Sequence, residues 1–195
     1  MASTASNSAI DICARALILI GAEPITSFDD GTTESLVAVN MYEDIARTNL
    51  CSSRWRFATE QKQLSELTDA PSGRYDIAHQ LPSDLLMLHA LTVSDIIFEY
   101  QVYGDKVFSD ISSGQVVIAD YTYRALEIDW PSYFTIAVEY AMASVFAGSI
   151  ARDPSLIQLM ESKYEVAMRK ARSLDSQQQT SRKLATSRFS AERRS

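Results

Sequence analysis

The sequence predicts an α+β protein: a helical bundle of about four helices with an inserted small antiparallel β meander and a flexible basic C-terminal tail. Three observations carry this prediction. Apolar residues recur at helical spacing up to Trp55, alternate with polar residues over the next 70 or so positions, and then return to helical spacing. We therefore assign residues 1–55 and 126–174 to a helical domain, residues 56–125 to an inserted β lobe, and residues 175–195 to the tail.

Two helices are predicted in the N-terminal part. The first runs from about Ser8 to Ile20, with serine or asparagine available as the N-cap and Gly21 as the stop. The turn Asp29-Asp30-Gly31 separates it from the second helix, which begins near Thr32 or Thr33 and runs to about Ser53. The aspartates of the turn lack the alternating ligand spacing of a calcium-binding loop, so a turn and helix cap is the better interpretation.

The β lobe is predicted from short alternating segments separated by turn residues. Breakers such as Gly104-Asp105 and Ser112-Ser113-Gly114 divide these segments, as expected for a small meander in which successive strands pair. The predicted extended segments are Phe57 to Leu67, Arg74 to His79, Leu88 to Val93, Phe98 to Tyr103, Lys106 to Phe108 and Gln115 to Tyr123.

Two more helices follow the β lobe. Trp130-Pro131-Ser132 opens a helix to about Ala151 that is apolar almost all round, and such a helix must be covered on several sides. We expect part of this cover to come from a neighbouring subunit, through Phe134, Tyr140 and Phe146. Asp153-Pro154 caps the last helix, whose narrow apolar stripe ends at Leu174 and is more often intramolecular packing than a coiled coil.

The stretch SSRWRFAT lies where the helical pattern stops and the strand pattern starts. One interpretation is a basic, aromatic binding site. The other is an interlayer joint, in which the aromatic residue fills the wedge between two layers while arginine stems cover it and their heads reach carboxylates. The second interpretation is favoured, and it assigns to the joint Arg54, Trp55, Arg56 and Phe57.

Charge is distributed unevenly along the chain. The net charge is −7, yet residues 169–195 contain eight basic and two acidic residues, so this stretch carries +6 and the rest carries −13. An acidic body with a basic tail indicates two different partners or surfaces.

Apolar content of 46% and a mean hydropathy of −0.09 are typical of a protein with a hydrophobic core. No apolar run is expected to span a bilayer, the best candidate being residues 16–22, and the N-terminus lacks the cationic region of a secretory signal.

No enzymatic chemistry is predicted. Glycine-rich phosphate loops and a GxSxG nucleophile elbow are missing from the sequence. His79 and His89 are the only histidines, and ordinary core or surface positions explain them better than a metal or acid–base pair. Cys13 and Cys51 lack CxxC spacing and are interpreted as small buried hydrophobes in a reducing compartment. The expectation is therefore no catalytic residue, no metal and no cofactor.

Nucleic-acid binding is the alternative function, and it depends on the tail alone. Its arginines have the charge to neutralise phosphates, and Phe189 has a ring that can stack on a base. The aromatic residue is single, however, and the acidic body would repel DNA. The same composition agrees equally well with a basic tail that becomes ordered when it binds an acidic protein surface.

The ordered set of packing and turn motifs resembles the tail tubular protein A, or head-to-tail adaptor, family of short-tailed bacteriophages. The resemblance covers about residues 8–174, and its motifs are moderately specific as a set. The segments that carry it are Ile20 to Ile25 (IGAEPI), SSRWRFAT at the end of the second helix, Tyr75 to Ala78 with Leu81 to Asp84, Val102 to Asp110 (VYGDKVFSD) and Phe134 to Ala143 (FTIAVEYAMA).

The resemblance implies a virion protein, made in the host cytoplasm, that forms a homo-oligomeric ring, commonly twelve-fold, between the portal and the tail nozzle. It implies no enzymatic activity and no membrane, and DNA would pass through the channel without specific binding. A negative lining suits that role because it repels phosphates. The C-terminal segment of such proteins reaches the portal. In this chain the portal-docking residues would be Arg182, Lys183, Leu184, Arg188, Phe189, Arg193 and Arg194.

Overall fold

A computed structural model describes residues 7–68 and 74–178 of the chain. Over these residues it contains four α-helices and two small antiparallel sheets, so the predicted α+β class is confirmed. The helices are α1 (Ala9–Leu19), α2 (Thr33–Cys51), α3 (Ser132–Phe146), which continues into a π-helical segment (Ala147–Ala151), and α4 (Pro154–Gln177).

The starts of α1, α2 and α4 are set by local side-chain caps, which explains why the sequence located them well. Ser8 accepts a hydrogen bond from the Asp11 backbone N–H, and the Asp11 carboxylate accepts one from the Ser8 backbone N–H, which forms a capping box. Thr32 caps α2 and Asp153 caps α4 in the same side-chain-to-backbone manner, with Pro154 at the first helical position.

The helix α3 lies at the centre of the helical domain, where it packs against α1, α2 and α4. Its buried residues join those of the surrounding helices in one core that also takes in both tryptophans. Trp130 and Trp55 each meet the Phe134 ring in a T-shaped arrangement, at centroid distances of 4.9 and 5.1 Å. Edge-to-face pairs of this kind add to the stabilisation from buried area.

The β lobe consists of two four-stranded antiparallel sheets instead of the single meander predicted from the sequence. Their strand orders are β1-β8-β4-β5 and β2-β3-β7-β6, so β8, the last strand, inserts between β1 and β4. The β1–β8 pairs join residues that are 55 to 63 positions apart, such as Thr59 with Thr122 and Gln63 with Ile118. The strands are β1 (Thr59–Gln63), β2 (Ser65–Glu66), β3 (Ile77–Gln80), β4 (Leu85–Val93), β5 (Ile96–Ile97), β6 (Gln101–Tyr103), β7 (Lys106–Ser109) and β8 (Val117–Tyr123).

The two sheets share a small core. The chain leaves the first sheet at Gln63 and enters the second at Ser65, so one nearly continuous stretch serves both. Leu64, between these strands, is buried, and its backbone N–H donates to the Val117 carbonyl. The buried cluster of the lobe comprises only Leu64, Leu81, Leu91, Val107, Val117, Ala119 and Tyr121.

Two sequence-based expectations about helices need correction. The sequence predicts a tail that begins at residue 175, but α4 continues to Gln177 and Asp175 is buried. The expectation that no apolar run is long enough for a membrane is also wrong: Ser132–Ala151 is a 20-residue helix with a hydropathy of 1.5, which suffices by length and composition. Of the 18 most apolar consecutive residues of this helix, 44% are buried inside the protein. The helix also supplies the centre of the helical core.

Candidate interaction surfaces and the interlayer joint

Trp55 lies between the end of α2 and the start of β1 and is fully buried. Its indole N–H donates to the Asn49 carbonyl at 2.9 Å, so the polar edge of the ring is satisfied. Its ring contacts Phe134 of α3 and lies 6.0 Å from the ring of Phe57. The predicted burial of Trp55 is confirmed, and the residue anchors the point where the chain passes from the helical domain to the β lobe.

The neighbours of Trp55 have separate contacts. The guanidinium of Arg54 reaches Asp120 of β8 at 2.6 Å, as expected of an arginine head that finds a carboxylate. Arg56 instead contributes its backbone N–H, which donates to the Asp175 carboxylate at 3.2 Å. Phe57 is partly buried against the helical core, and its carbonyl accepts a hydrogen bond from the Tyr123 hydroxyl at 3.0 Å.

Asp175 ties the last turn of α4 to the rest of the molecule. Its second carboxylate oxygen accepts the Tyr133 hydroxyl at 2.9 Å, and the Gln178 amide donates to the same hydroxyl at 3.3 Å. Burial and the hydrogen bond to Asp175 raise the pKa of Tyr133 to about 12. Residues of α3, α4 and the joint thus meet at one buried carboxylate, a contact that no sequence pattern indicated.

A second polar cluster fastens β8 to α2. The Arg124 guanidinium donates to Glu43 at 2.9 Å and to Glu127 at 2.6 Å, and the Tyr42 hydroxyl also donates to Glu127. Hydrogen bonds from Arg124 hold the pKa of the Glu43 carboxyl below its usual range. The guanidinium also lies 5.5 Å from the Trp130 ring centroid. The carboxylates of Glu43 and Glu127 therefore serve as partners in contacts that hold elements together.

The predicted subunit-packing residues divide into two groups. Phe134 and Phe146 are fully buried within one protomer, because α1, α2 and α4 cover α3 on those sides. The prediction that these two side chains contact a neighbouring subunit is therefore wrong. Tyr140 is only partly buried and lines a groove that remains open between α3 and α4.

The open groove between α3 and α4 has a volume of about 440 Å³. Apolar residues dominate its lining, and Ile136, Val166 and Leu174 are 46%, 41% and 45% exposed. Lys163 and Lys170 also line it, with the Lys163 ammonium 5.8 Å from the Tyr140 ring centroid. We call this surface the α3/α4 groove. A patch of apolar residues within a polar rim is typical of interaction sites.

A second exposed apolar surface lies at the end of the β4–β5 hairpin. Ser94 and Asp95 both have positive φ, as a two-residue type I′ turn requires, and Ile96 and Ile97 follow at 70% and 69% exposure. Asp95 and Glu99 flank the isoleucines. We call residues 95–99 the hairpin tip. The sequence contains a signal for this exposed surface, because two adjacent isoleucines next to a turn cannot both face the buried side of a strand.

The two histidines belong to different sheets, His79 to β3 and His89 to β4. Within the described residues, no group of three or more His, Cys, Asp or Glu side chains is placed to hold a metal ion. His79 is buried in β3, and burial lowers its pKa while Glu66 opposes the shift. The His89 ring lies 2.8 Å from the Thr122 hydroxyl, within the first sheet. Burial also raises the pKa of the Cys13 thiol to about 12, which leaves it protonated and inert.

The predicted portal-docking residues, Arg182 to Arg194, lie outside the described residues. Comparison with known proteins does not identify the chain: no protein-family model and no curated protein matches it.

Proposed function

We propose that the protein is a structural virion component, a head-to-tail adaptor that assembles as a ring between the portal and the tail nozzle and surrounds the DNA exit channel. The observation that carries the proposal is the α3/α4 groove, where Ile136, Val166 and Leu174 remain exposed although Phe134, Met142 and Phe146 of α3 are fully buried. Subunits that function only when assembled keep such surfaces for their neighbours.

Two further observations support the proposal. The charge of residues 1–168 is −13, which suits a protein that surrounds passing DNA without binding it. The polar clusters around Arg124 and Asp175 are engaged in holding elements together, so they contribute to a rigid building block. A homo-oligomeric ring, commonly twelve-fold in the resembling family, would bind the portal on one side and the nozzle on the other. It would need no cofactor.

The tail provides the test of portal binding. A variant that ends at Gln178 keeps α4 and the Gln178 contact with Tyr133, so its fold should be intact. In a pull-down on the portal protein of the same virus, this truncation should greatly weaken retention. High salt should weaken retention of the full-length chain, because ion pairs at the rim of an interface are screened.

A matched variant separates the roles of charge and apolar contact in the tail. Replacing Leu184 and Phe189 by serine leaves every basic residue in place, so it removes only the apolar anchors. If the portal is the partner, this variant should also bind it weakly. If the alternative nucleic-acid-binding function holds, neither change should alter the amount of protein retained on the portal. The truncation should then lose retention on DNA, and the serine variant should lose only the contribution of Phe189 stacking. That outcome would overturn the proposal.

A further inference from the structure

The α3/α4 groove and the hairpin tip are apolar surfaces exposed among the described residues, and their flanking charges have opposite signs. The α3/α4 groove presents Ile136, Val166 and Leu174 beside Lys163 and Lys170. Ion pairs between described residues include neither lysine, so their charges remain available to a partner. The groove therefore fits an occupant that is apolar in the middle and acidic at its ends.

The hairpin tip has this chemistry. Ile96 and Ile97 lie between Asp95 and Glu99, and neither carboxylate joins an ion pair in the part of the chain that is described. The type I′ turn and the pairing of Thr92 with Ile97 hold the two isoleucines at the end of a hairpin. A short ordered hairpin loses little conformational entropy on binding.

Other occupants fit the groove less well. The basic tail would bring its arginines and lysine towards Lys163 and Lys170, where like charges repel. The turn that contains Leu126 and Ile128 is also exposed, but its Glu127 is already bound by Arg124 and Tyr42. Only the hairpin tip combines two exposed isoleucines with two carboxylates that have no partner among the described residues.

The groove and the hairpin tip lie in different parts of the protomer. The strand β4 runs from Leu85 near the helical domain to Val93 at the tip, a length of about 26 Å at roughly 3.3 Å per residue. The groove lies between two helices of the helical domain. A copy that uses its tip for one neighbour and its groove for another makes a heterologous contact, and repetition of that contact yields a ring or a filament. A reciprocal pair, in which each tip occupies the groove of the other copy, closes as a dimer instead.

We propose that the α3/α4 groove of one copy binds the hairpin tip of the next copy. Ile96 and Ile97 cover the exposed apolar side chains of the groove, while Asp95 and Glu99 face Lys163 and Lys170. This inference deepens the proposed function and rests on it, because it names the contact on which a ring of this chain would be built.

Disulfide trapping tests the contact even if it is weak. Ile97→Cys and Val166→Cys are made in separate chains that also carry Cys51→Ser, and Cys13 needs no change because it is fully buried. Under mild oxidation, a disulfide-linked dimer should accumulate in the mixture of the two chains and not in either chain alone. As the matched control, Ile18→Cys on the exposed side of α1 should not cross-link to Val166→Cys.

Each other outcome overturns the proposal. Cross-linking of Ile97→Cys with itself would show tip-to-tip pairing, and cross-linking of Val166→Cys with itself would show a symmetric contact between grooves. A mixture with no more dimer than the Ile18→Cys control would show that the surfaces do not meet.

Charge reversal provides the second arm of the test. Lys163→Glu with Lys170→Glu in the groove chain should lower the cross-linking rate about tenfold, and Asp95→Lys with Glu99→Lys in the tip chain should restore it. Loss without restoration would contradict the charge pairing.

Failure of this contact is distinguishable from failure of the proposed function. Rings on portals, without a disulfide between the Ile97→Cys and Val166→Cys chains, would reject only the contact. The disulfide between those two chains, without rings on portals, would reject only the adaptor role.

Discussion

The helical domain and the β lobe are built on different amounts of buried side chain. The helical core contains 22 buried residues, among them Trp55, Trp130 and Phe134, whereas the lobe core contains seven. The lobe also contains two buried polar atoms without a hydrogen-bond partner among the described residues, the Nδ1 of His79 and the Oγ of Ser109. The difference indicates that the helical domain contributes most of the stability and that the lobe is the less stable of the two regions.

This comparison predicts that the lobe opens before the helical domain does. Short strands, a small core and unsatisfied buried polar groups all lower the free energy of local unfolding. A region of this kind gains most when a partner covers it, because binding adds the contacts that its own core lacks. Four substitutions test the comparison, and their expected effects on stability decrease from the first to the last.

Trp55→Ala should lower the free energy of unfolding by about 3 kcal/mol or more, since it leaves a large cavity against Phe134. Chemical denaturation followed by circular dichroism measures the loss. The matched control is Tyr103→Ala in β6, an aromatic residue that is 58% exposed and pairs with the Phe108 ring at 5.6 Å, which should lower stability by about 1 kcal/mol or less. Equal losses in the two variants would reject the role of Trp55 as the joint.

Leu91→Ala should lower the free energy of unfolding of the β lobe by about 2–3 kcal/mol, because Leu91 is fully buried in the small core of the lobe. Hydrogen exchange followed by mass spectrometry should show faster exchange in the strands while α1 and α3 keep their protection. Exchange that rises equally in the helices and strands would show that the two regions unfold as one unit.

Asp175→Asn should cost about 1–3 kcal/mol, because the buried carboxylate accepts hydrogen bonds from both the Arg56 N–H and the Tyr133 hydroxyl. Its neighbour Ser176 is exposed, so Ser176→Ala is the matched control and should be nearly neutral. Thermal unfolding of both variants measures the difference. A neutral Asp175→Asn would mean that the end of α4 does not hold the joint.

His79 should make the lobe sensitive to acid. Its pKa in the folded protein is lowered by burial, so the unfolded chain binds more protons and stability falls as the pH drops below about 6.5. The effect at pH 5.5 is at most about 1.4 kcal/mol. The slope of stability against pH between 7.5 and 5.5 should therefore be smaller in His79→Leu than in the unmodified chain. An unchanged slope would show that His79 does not titrate in this way.

Local features can be predicted well from the sequence, and long-range ones cannot. Ser8, Thr32 and Asp153 set the helix starts through contacts within three residues, so their positions follow from the sequence. The pairing of β8 with both β1 and β4 depends on distant residues, so the sequence predicts a meander where two sheets form. Periodicity alone does not reveal such pairings.

The interaction surfaces show the same limit. An all-round apolar helix correctly indicates that α3 is covered on several sides, but not that the protomer itself covers Phe134 and Phe146. Asp175 has polar neighbours in the sequence, which favours its assignment to the tail. In the structure its carboxylate is held by the hydroxyl of Tyr133, which lies 42 positions earlier. Burial of this kind is a tertiary property.

Electron microscopy of the full-length protein, alone and mixed with the portal protein of the same virus, tests the central proposal most directly. A ring adaptor should add a ring of extra density to one end of the portal, with a central channel and the rotational symmetry of repeated copies. The Lys163→Glu, Lys170→Glu variant should add a ring much less often, because the groove contact is weakened. Portal particles that remain unchanged at saturating concentrations of the protein would contradict the assignment as a head-to-tail adaptor.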